Sequence, residues 1–230
     1  MIENEFEIFQ TTETSALIEF GSEINPEVNK KVRIFCSYLD NNPFKGMVEY
    51  IPAFCSVSVI YNPLELPYST VYSIIKDIIL NLDFNQNFEK HIVKIPVCYG
   101  GEFGPDIENV AKLNSLTTTQ VIKIHSGSEY LVYMIGFAPG FPYLGGMSEK
   151  ISAPRLNTPR QVIPSGSVGI AGMQTGVYPI ETPGGWQLIG KTPIKLFDIN
   201  KKPKSLLSSG DIVKFYPISY QEYLKLQEEK

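Results

Sequence analysis

Two arginines stand out in a chain that otherwise uses lysine for its positive charges. Arg155 and Arg160 are two of only three arginines in the 230 residues. A guanidinium group can hold a carboxylate or a phosphate through two parallel hydrogen bonds, which the point charge of a lysine cannot do. A surface ion pair uses an arginine equally well. The sequence therefore leaves two interpretations open, an anion-binding site and ordinary surface salt bridges.

A second candidate is the polar pair Gln174-Thr175, which lies between Gly172 and Gly176. A side-chain amide beside a hydroxyl can orient an amide-like ligand by donating and accepting hydrogen bonds. The same pair can instead satisfy the backbone of a turn.

Aromatic side chains accompany these polar residues at Phe137, Phe141, Tyr143, Tyr178 and Trp186. Small-molecule pockets are mostly apolar and carry a few polar anchors. We therefore take the last four as candidate walls of a substrate pocket, although each of them would also suit a packed core.

Groups that could move protons are few. His125 follows a predicted short helix and is one of two histidines, and Asp106 lies at the predicted start of another helix. Either can act as an acid or a base, but each position also has a structural explanation at a helix end. With two histidines and scattered carboxylates, we expect no metal site.

All of these residues except His125 and Asp106 lie in one stretch, residues 136–193. It holds 11 of the chain's 18 glycines and 8 of its 17 prolines. Glycine permits close backbone approach and proline stiffens a connection, so such a stretch builds rigid, irregular loops. Those loops form either the rim of a pocket or the corners of a barrel.

One motif in this stretch is misleading. Residues 185–192 read GWQLIGKT and satisfy the P-loop pattern G-x-x-x-x-G-K-[ST]. The interior of the motif is bulky and apolar, and Pro193 is followed by a strand pattern rather than by a helix that could present its N-terminus to phosphate. We therefore interpret it as a turn between strands.

The composition excludes several classes of function. The net charge is −4 and the pI about 5.3, so no basic surface exists to hold a nucleic acid. No run of 18 apolar residues is present, and we expect no membrane span. The three cysteines are odd in number and far apart, which favours the reducing cytoplasm over a disulfide framework.

The first ninety residues alternate between strand and helix patterns. Runs rich in β-branched and aromatic residues at 5–10, 16–20, 47–61 and 91–97 predict strands. Apolar residues spaced three and four apart predict helices over 28–39 and 71–82, and Pro26 suits the first turn of the former. The order β(β)αββαβ predicts an α+β fold that begins with a small ferredoxin-like α/β sandwich, assigned to residues 1–92.

Residues 93–230 form the second predicted domain. A helix to Asn114 is followed by a second helix, which Thr117 and Gln120 open as a capping box. Short strands between Gly and Pro turns then predict a closed β-barrel or sandwich. These strands are expected at 129–135, 161–163, 166–170, 176–180, 187–189, 194–198 and 212–216, and a helix at 219–230.

An ordered set of motifs runs through this second half. In chain order the motifs are Tyr99-Gly100-Gly101, Gly104-Pro105-Asp106, His125, residues 136–144 (GFAPGFPYL), Pro154-Arg155, Pro159-Arg160, residues 164–170 (PSGSVGI), residues 174–179 (QTGVYP) and residues 183–190 (PGGWQLIG). The set resembles the family that contains the B subunit of bacterial 5-oxoprolinase, whose members are also described as allophanate hydrolase subunit 1 and as inhibitors of a sporulation histidine kinase. The resemblance covers nearly the whole chain.

The resemblance implies that the barrel is cyclophilin-like and that the chain is a non-autonomous enzyme subunit. With the A and C subunits of 5-oxoprolinase it would hydrolyse a small lactam, 5-oxo-L-proline, to L-glutamate with cleavage of ATP. The nucleotide would be bound on this chain, on its partner subunit, or shared between the two. Two alternatives follow from other members, an inhibitor that binds a histidine kinase and an allophanate- or urea-type carboxyltransferase subunit. Fold analogy with cyclophilins alone would suggest prolyl isomerase activity.

The hydrolase scheme gives each candidate residue a role. Arg155 or Arg160 would hold a carboxylate or phosphate, and Gln174 and Thr175 would orient the lactam. The four aromatic residues would exclude water. His125 or Asp106 would move protons.

Overall fold

The computed structural model of the chain describes residues 6–228. The chain divides into two compact units, Met1–Glu89 and Lys90–Lys230. No helix in the described chain has both the length and the apolar character that crossing a membrane requires.

The N-terminal unit is a four-stranded antiparallel sheet covered on one face by two helices. Its elements are β1 (Glu7–Thr12), β2 (Ser15–Glu19), α1 (Pro26–Asn41), β3 (Met47–Pro52), β4 (Ser56–Tyr61) and α2 (Tyr68–Asn81). The strands lie side by side in the order β1-β2-β4-β3. The predicted strand at 5–10 is found as β1, and Glu5 lies outside the described residues.

Both helices form where the apolar spacing predicts them. The Asn25 side chain accepts a hydrogen bond from the Val28 backbone N–H at the start of α1, and Pro26 occupies the first turn. Each helix directs one apolar face at the same side of the sheet, where alternate strand residues meet it. This core includes Phe35 and Leu39 of α1, Ile75 of α2, Ile18 of β2 and Val59 of β4.

The strand predicted at 91–97 does not complete this sheet. It is β5 (Ile92–Tyr99), and it pairs with strands of the second unit. The edge strand next to β2 is β1, which comes before the first helix in the chain. The connectivity is therefore ββαββα, and the ferredoxin-like assignment is not confirmed.

The second unit is built around a closed barrel. Its further elements are α3 (Ile107–Leu113), α4 (Thr118–Gly127), β6 (Tyr130–Ile135), β7 (Pro142–Gly145), the 3₁₀ turn Glu149–Ile151, β8 (Arg160–Ile163), β9 (Ser167–Ala171), β10 (Gln174–Val177), β11 (Thr182–Gly184), β12 (Gln187–Lys191), β13 (Ile212–Pro217) and α5 (Tyr220–Glu228). Within the described residues the barrel has seven strands in the order β10-β7-β6-β13-β5-β12-β9, and β8 and β11 form a separate ribbon. An α+β fold with a barrel is thus confirmed, while its cyclophilin-like assignment stays a prediction.

The second unit differs from the predicted pattern in several places. The strand predicted at 161–163 is β8, which lies in the ribbon and not in the barrel, and its partner β11 matches no predicted strand. The segment at 142–145, expected as part of a loop, is β7 and pairs with both β6 and β10. The segment at 194–198 is not a strand. Only Phe197 forms an isolated β-bridge, to Ser205, and Asp198 then accepts a hydrogen bond from the Asn200 backbone N–H in a turn. The predicted capping box of α4 is present, with Thr117 and Gln120 bonded reciprocally.

Candidate functional site

The predicted aromatic residues surround a pocket at one side of the barrel. The pocket has a volume of about 370 Å³. The residues that line it are Phe137, Phe141, Tyr143, Arg155, Pro159, Gln174, Tyr178, Pro183, Gly184, Gly185 and Trp186. They come from β7 and the loop before it, from the loop before β8, from β10 and the residue after it, and from β11 and the segment that joins it to β12. Residues 136–193 therefore supply the entire lining.

The walls are rigid because their rings pack edge to face. Phe141 contacts Tyr143, Tyr178 and Trp186 with ring-centre distances of 5.3, 5.7 and 5.9 Å, and each pair is close to perpendicular. Aromatic pairs favour this geometry because the ring edge is positive and the ring face negative. Phe141, Tyr178 and Trp186 are nearly fully buried, so they form both a small core and the pocket wall.

One glycine makes room for this wall. A Cβ atom at Gly184 would lie 2.7 Å from the Tyr178 hydroxyl oxygen and 2.8 Å from Ile163 Cδ1. No real Cβ atom tolerates either distance, so Gly184 permits the backbone of β11 to pass directly over the phenol of Tyr178.

The rim of the pocket contains a strained aromatic residue. Phe137 has a φ of 63° although it is not glycine. Its side chain is 70% exposed, and its ring is close to perpendicular to that of Phe141, with the ring centres 5.6 Å apart. A bulky residue with left-handed backbone angles lowers the stability of the fold, and this side chain gains little burial to offset that loss. The strain therefore points to a role of Phe137 in binding.

Arg155 is the charged group of the pocket. Its guanidinium has no hydrogen bond or ion pair with any residue from 6 to 228. The backbone beneath it is fixed, because the Leu156 N–H donates to the Gly185 carbonyl oxygen at 2.7 Å and Gln187 Nε2 donates to the Pro154 carbonyl oxygen at 3.0 Å. The loop is therefore held while the cation itself stays available.

Gln174 is the second polar group without a partner. Its half-buried amide forms no hydrogen bond to another described residue. Tyr143 and Tyr178 add two hydroxyl groups to the lining, and the environment of Tyr178 changes its acidity. Burial raises the pKa of its phenol to about 12, although Arg155 and Arg160 partly oppose this, so the hydroxyl stays protonated at neutral pH.

Arg160 does not line the pocket. Its Nη2 atom lies 2.7 Å from Asp106 Oδ1, and its Nη1 atom donates to the Trp186 carbonyl oxygen at 3.4 Å. The other oxygen of Asp106 accepts a hydrogen bond from the Leu188 N–H at 2.6 Å. Both oxygens of the predicted acid or base are thus engaged, and the pair fixes the start of α3 and the loop before β12 to the ribbon of β8.

His125 and Thr175 lie in the barrel interior, not in the pocket. Thr175 Oγ1 donates to the Gly169 carbonyl oxygen at 2.9 Å, so it accepts from His125 Nε2–H, also at 2.9 Å. His125 Nδ1 then accepts from the Tyr99 hydroxyl at 2.8 Å. Burial lowers the pKa of His125 to about 3, so the imidazole is neutral. The sequence predicts that His125 moves a proton, whereas this ring is enclosed and satisfied on both nitrogens.

The structure therefore brings six of the ten predicted site residues together: Phe141, Tyr143, Arg155, Gln174, Tyr178 and Trp186. The other four, Asp106, His125, Arg160 and Thr175, are held in structural hydrogen bonds. Sequence reasoning missed Gln187, which is 2% exposed and anchors the loop of Arg155. Its position in a strand of a glycine-rich motif carries no local sign of that contact.

The P-loop-like segment has no phosphate-binding geometry. Its residues 187–191 are the strand β12, and no helix follows. Lys191 Nζ lies over the ring of Phe103 at 5.6 Å. Among residues 6–228, no three His, Cys, Asp or Glu side chains are grouped as a metal site would require.

Comparison with known proteins places the chain in a family. The family model of the carboxyltransferase domain, subdomain C and D, matches residues 6–207. The chain belongs to this family. It is 50% identical to the B subunit of the 5-oxoprolinase of Bacillus subtilis (strain 168), over 97% of this chain and 98% of that protein.

Two further relatives extend the comparison. The B subunit of the 5-oxoprolinase of Escherichia coli O157:H7 is 40% identical over 89% of this chain and 93% of its own length. The crystal structure of a conserved uncharacterized protein from Pyrococcus horikoshii is 46% identical, covers 94% of this chain and all of its own, and has a TM-score of 0.58. Each of these relatives is matched over nearly its full length.

Proposed function

We propose that this chain is the B subunit of an ATP-dependent 5-oxoprolinase and that its pocket binds 5-oxo-L-proline. The likeness to the 5-oxoprolinase subunits of Bacillus subtilis and Escherichia coli supports this proposal. The observation that carries it is the lining of the pocket, where one guanidinium and one amide without partners among residues 6–228 lie between aromatic walls. A small ring with one carboxylate and one lactam matches that set of groups.

Each group has a definite task in this scheme. The guanidinium of Arg155 binds the carboxylate through two hydrogen bonds. The amide of Gln174 accepts from the lactam N–H or donates to its oxygen, which orients the ring. The walls formed by Phe141, Tyr178 and Trp186 exclude water from the face of the ring.

The lining also explains why the chain needs partners. None of the lining residues is an aspartate, glutamate, histidine, lysine, serine or cysteine. A lactam is resonance-stabilised, so water attacks its carbon only after the oxygen has been activated. For proton transfer this pocket offers only the hydroxyls of Tyr143 and Tyr178, and burial raises the pKa of Tyr178 to about 12, which makes it a poor base at neutral pH. We assign those steps to the A and C subunits of the enzyme.

ATP fits a partner better than this chain. The pocket offers the single cation Arg155, whereas triphosphate sites combine backbone N–H groups, a lysine and a metal ion. Residues 187–191 of the segment at 185–192 form a strand and not a phosphate loop. We therefore propose that the partner holds the nucleotide, which activates the lactam oxygen, while this chain holds the lactam.

The test is a reconstitution of the three purified subunits with 5-oxo-L-proline and ATP, with glutamate as the readout. Omission of this chain should abolish glutamate formation, and an unchanged rate would refute the proposal. Arg155→Ala should raise KM for 5-oxo-L-proline by about tenfold or more, because a charge-assisted contact is lost. The control Lys150→Ala removes an exposed cation outside the pocket and should leave KM unchanged.

A further inference from the structure

The N-terminal sheet has one face that no helix covers. The residues on this open face alternate with the core residues along each strand. They are Glu7, Phe9 and Thr11 of β1, Ser15, Leu17 and Glu19 of β2, Ser56, Ser58 and Ile60 of β4, and Glu49 and Ile51 of β3. We call this set the open face.

A row of three large apolar side chains, interrupted by one serine, crosses the open face from edge to edge. The register pairs Phe9 with Leu17, Leu17 with Ser58, and Ser58 with Ile51. Phe9 is 41% exposed and Ile51 is 53% exposed, on the two edge strands. Large apolar side chains grouped on a surface in this way indicate an interaction site.

Acidic residues flank this row on both sides. Glu7 and Glu19 are direct cross-strand partners on one side, and Glu49 pairs with Ile60 on the other. Like charges directly opposite each other are unfavourable in a sheet. None of the three glutamates has an ion pair in the part of the chain that the structure describes, so no ion pair among residues 6–228 offsets their repulsion.

The arrangement of apolar and acidic residues on the open face indicates the chemistry of the partner that it can bind. An apolar centre with a charged rim is the usual anatomy of a protein interface. No residue of the open face is basic, so two copies placed face to face would gather six carboxylates and no cation. A complementary partner instead presents an apolar ridge flanked by lysine or arginine.

We propose that the open face is the docking surface for a partner subunit with a basic-flanked apolar ridge. The inference rests on the proposed function, because the partners it invokes are the A and C subunits of the 5-oxoprolinase. The inference goes beyond that function because it assigns the binding of a partner subunit to the N-terminal unit, whereas the pocket lies in the second unit.

The experiment measures the affinity of the purified full-length chain for the purified C and A subunits by titration calorimetry. The charge-reversed variant Glu7→Lys/Glu19→Lys and the apolar variant Phe9→Ser/Ile51→Ser should each raise Kd by about tenfold or more for one of them. High salt should weaken binding of the wild-type chain. Matched controls are Glu89→Lys and Leu64→Ser, which alter an exposed glutamate and a 94% exposed leucine outside the open face.

The outcomes separate the two proposals. Complex formation with wild-type affinity by both open-face variants overturns this inference and leaves the proposed function standing. Absence of any binding to the A and C subunits overturns both. Unchanged melting temperatures of the variants show that a loss of binding is not a loss of folding.

Discussion

The guanidinium of Arg160 lies 2.7 Å from the carboxylate of Asp106, although the two residues are 54 positions apart in the chain. The side chains are only 29% and 12% exposed. Together they tie the ribbon of β8 to the segment that carries Trp186. The pair therefore stabilises the segments that form the pocket wall, and neither of its side chains lines the pocket.

Removal of either partner should destabilise the fold more than removal of both. Asp106→Ala leaves the Arg160 cation and the Leu188 N–H without partners, and it should cost about 3–5 kcal/mol of unfolding free energy. Asp106→Ala/Arg160→Met should cost clearly less, because no isolated charge remains. Urea denaturation of the wild-type protein, Asp106→Ala, Arg160→Met and the double variant measures the coupling energy between the two side chains. Strictly additive losses of unfolding free energy would show that the two side chains do not stabilise each other.

His125 should make stability depend on pH. Its pKa falls from 6.5 to about 3 on folding, so the unfolded chain binds the proton more tightly. Stability is complete above pH 6.5 and is lost as the pH falls from 6.5 towards 3, with a slope of at most about 1.4 kcal/mol per pH unit. Unfolding free energies between about pH 4.5 and 7 should show this slope, and it should flatten in His125→Gln. An unchanged slope in that variant would refute the assignment.

Gly184 should be sensitive to the addition of a side chain. Gly184→Ala places a methyl group against the Tyr178 hydroxyl and Ile163, and it should cost about 1–3 kcal/mol while raising KM for the substrate. Gly127→Ala is the control, since a Cβ atom there meets no atom within 4 Å. It should be neutral or stabilising by up to about 1 kcal/mol. Equal effects at the two sites would show that the crowding is not specific to the pocket.

Phe137 should be more important for binding than for stability. Phe137→Gly removes the strain of a positive φ and should leave the fold as stable or more stable by about 1 kcal/mol, while KM rises because the rim is lost. Ser115→Gly relieves a similar φ of 55° outside the pocket and should change stability without changing KM. A Phe137→Gly enzyme with wild-type KM would exclude this role of the ring.

Local patterns predicted the helices well, because the spacing of apolar residues in α1 and α2 reports directly on a buried face. They failed at β7, where Pro142 and the surrounding glycines resemble a loop and only pairing with β6 and β10 makes a strand. Connectivity was also hidden, since a strand pattern over 91–97 does not reveal which sheet will accept it.

The same limit applies to the site. The aromatic walls and Arg155 could be named from residue type and from the glycine-rich setting. The roles of His125 and Asp106 depend on partners 26 to 82 positions away, Tyr99, Thr175, Arg160 and Leu188. A single sequence shows neither end of such a contact, so it cannot distinguish a reactive histidine from an enclosed one.

The strand β13 has a consequence for how the chain is made. It lies between β5, to which it is parallel, and β6, so the barrel has no continuous wall until residues 212–217 are in place. On a ribosome, where synthesis proceeds from the N-terminus, the first unit can complete its sheet while the second must wait for this late segment. During that interval β5 and β6 expose unpaired edges, which makes this the period of synthesis most vulnerable to aggregation.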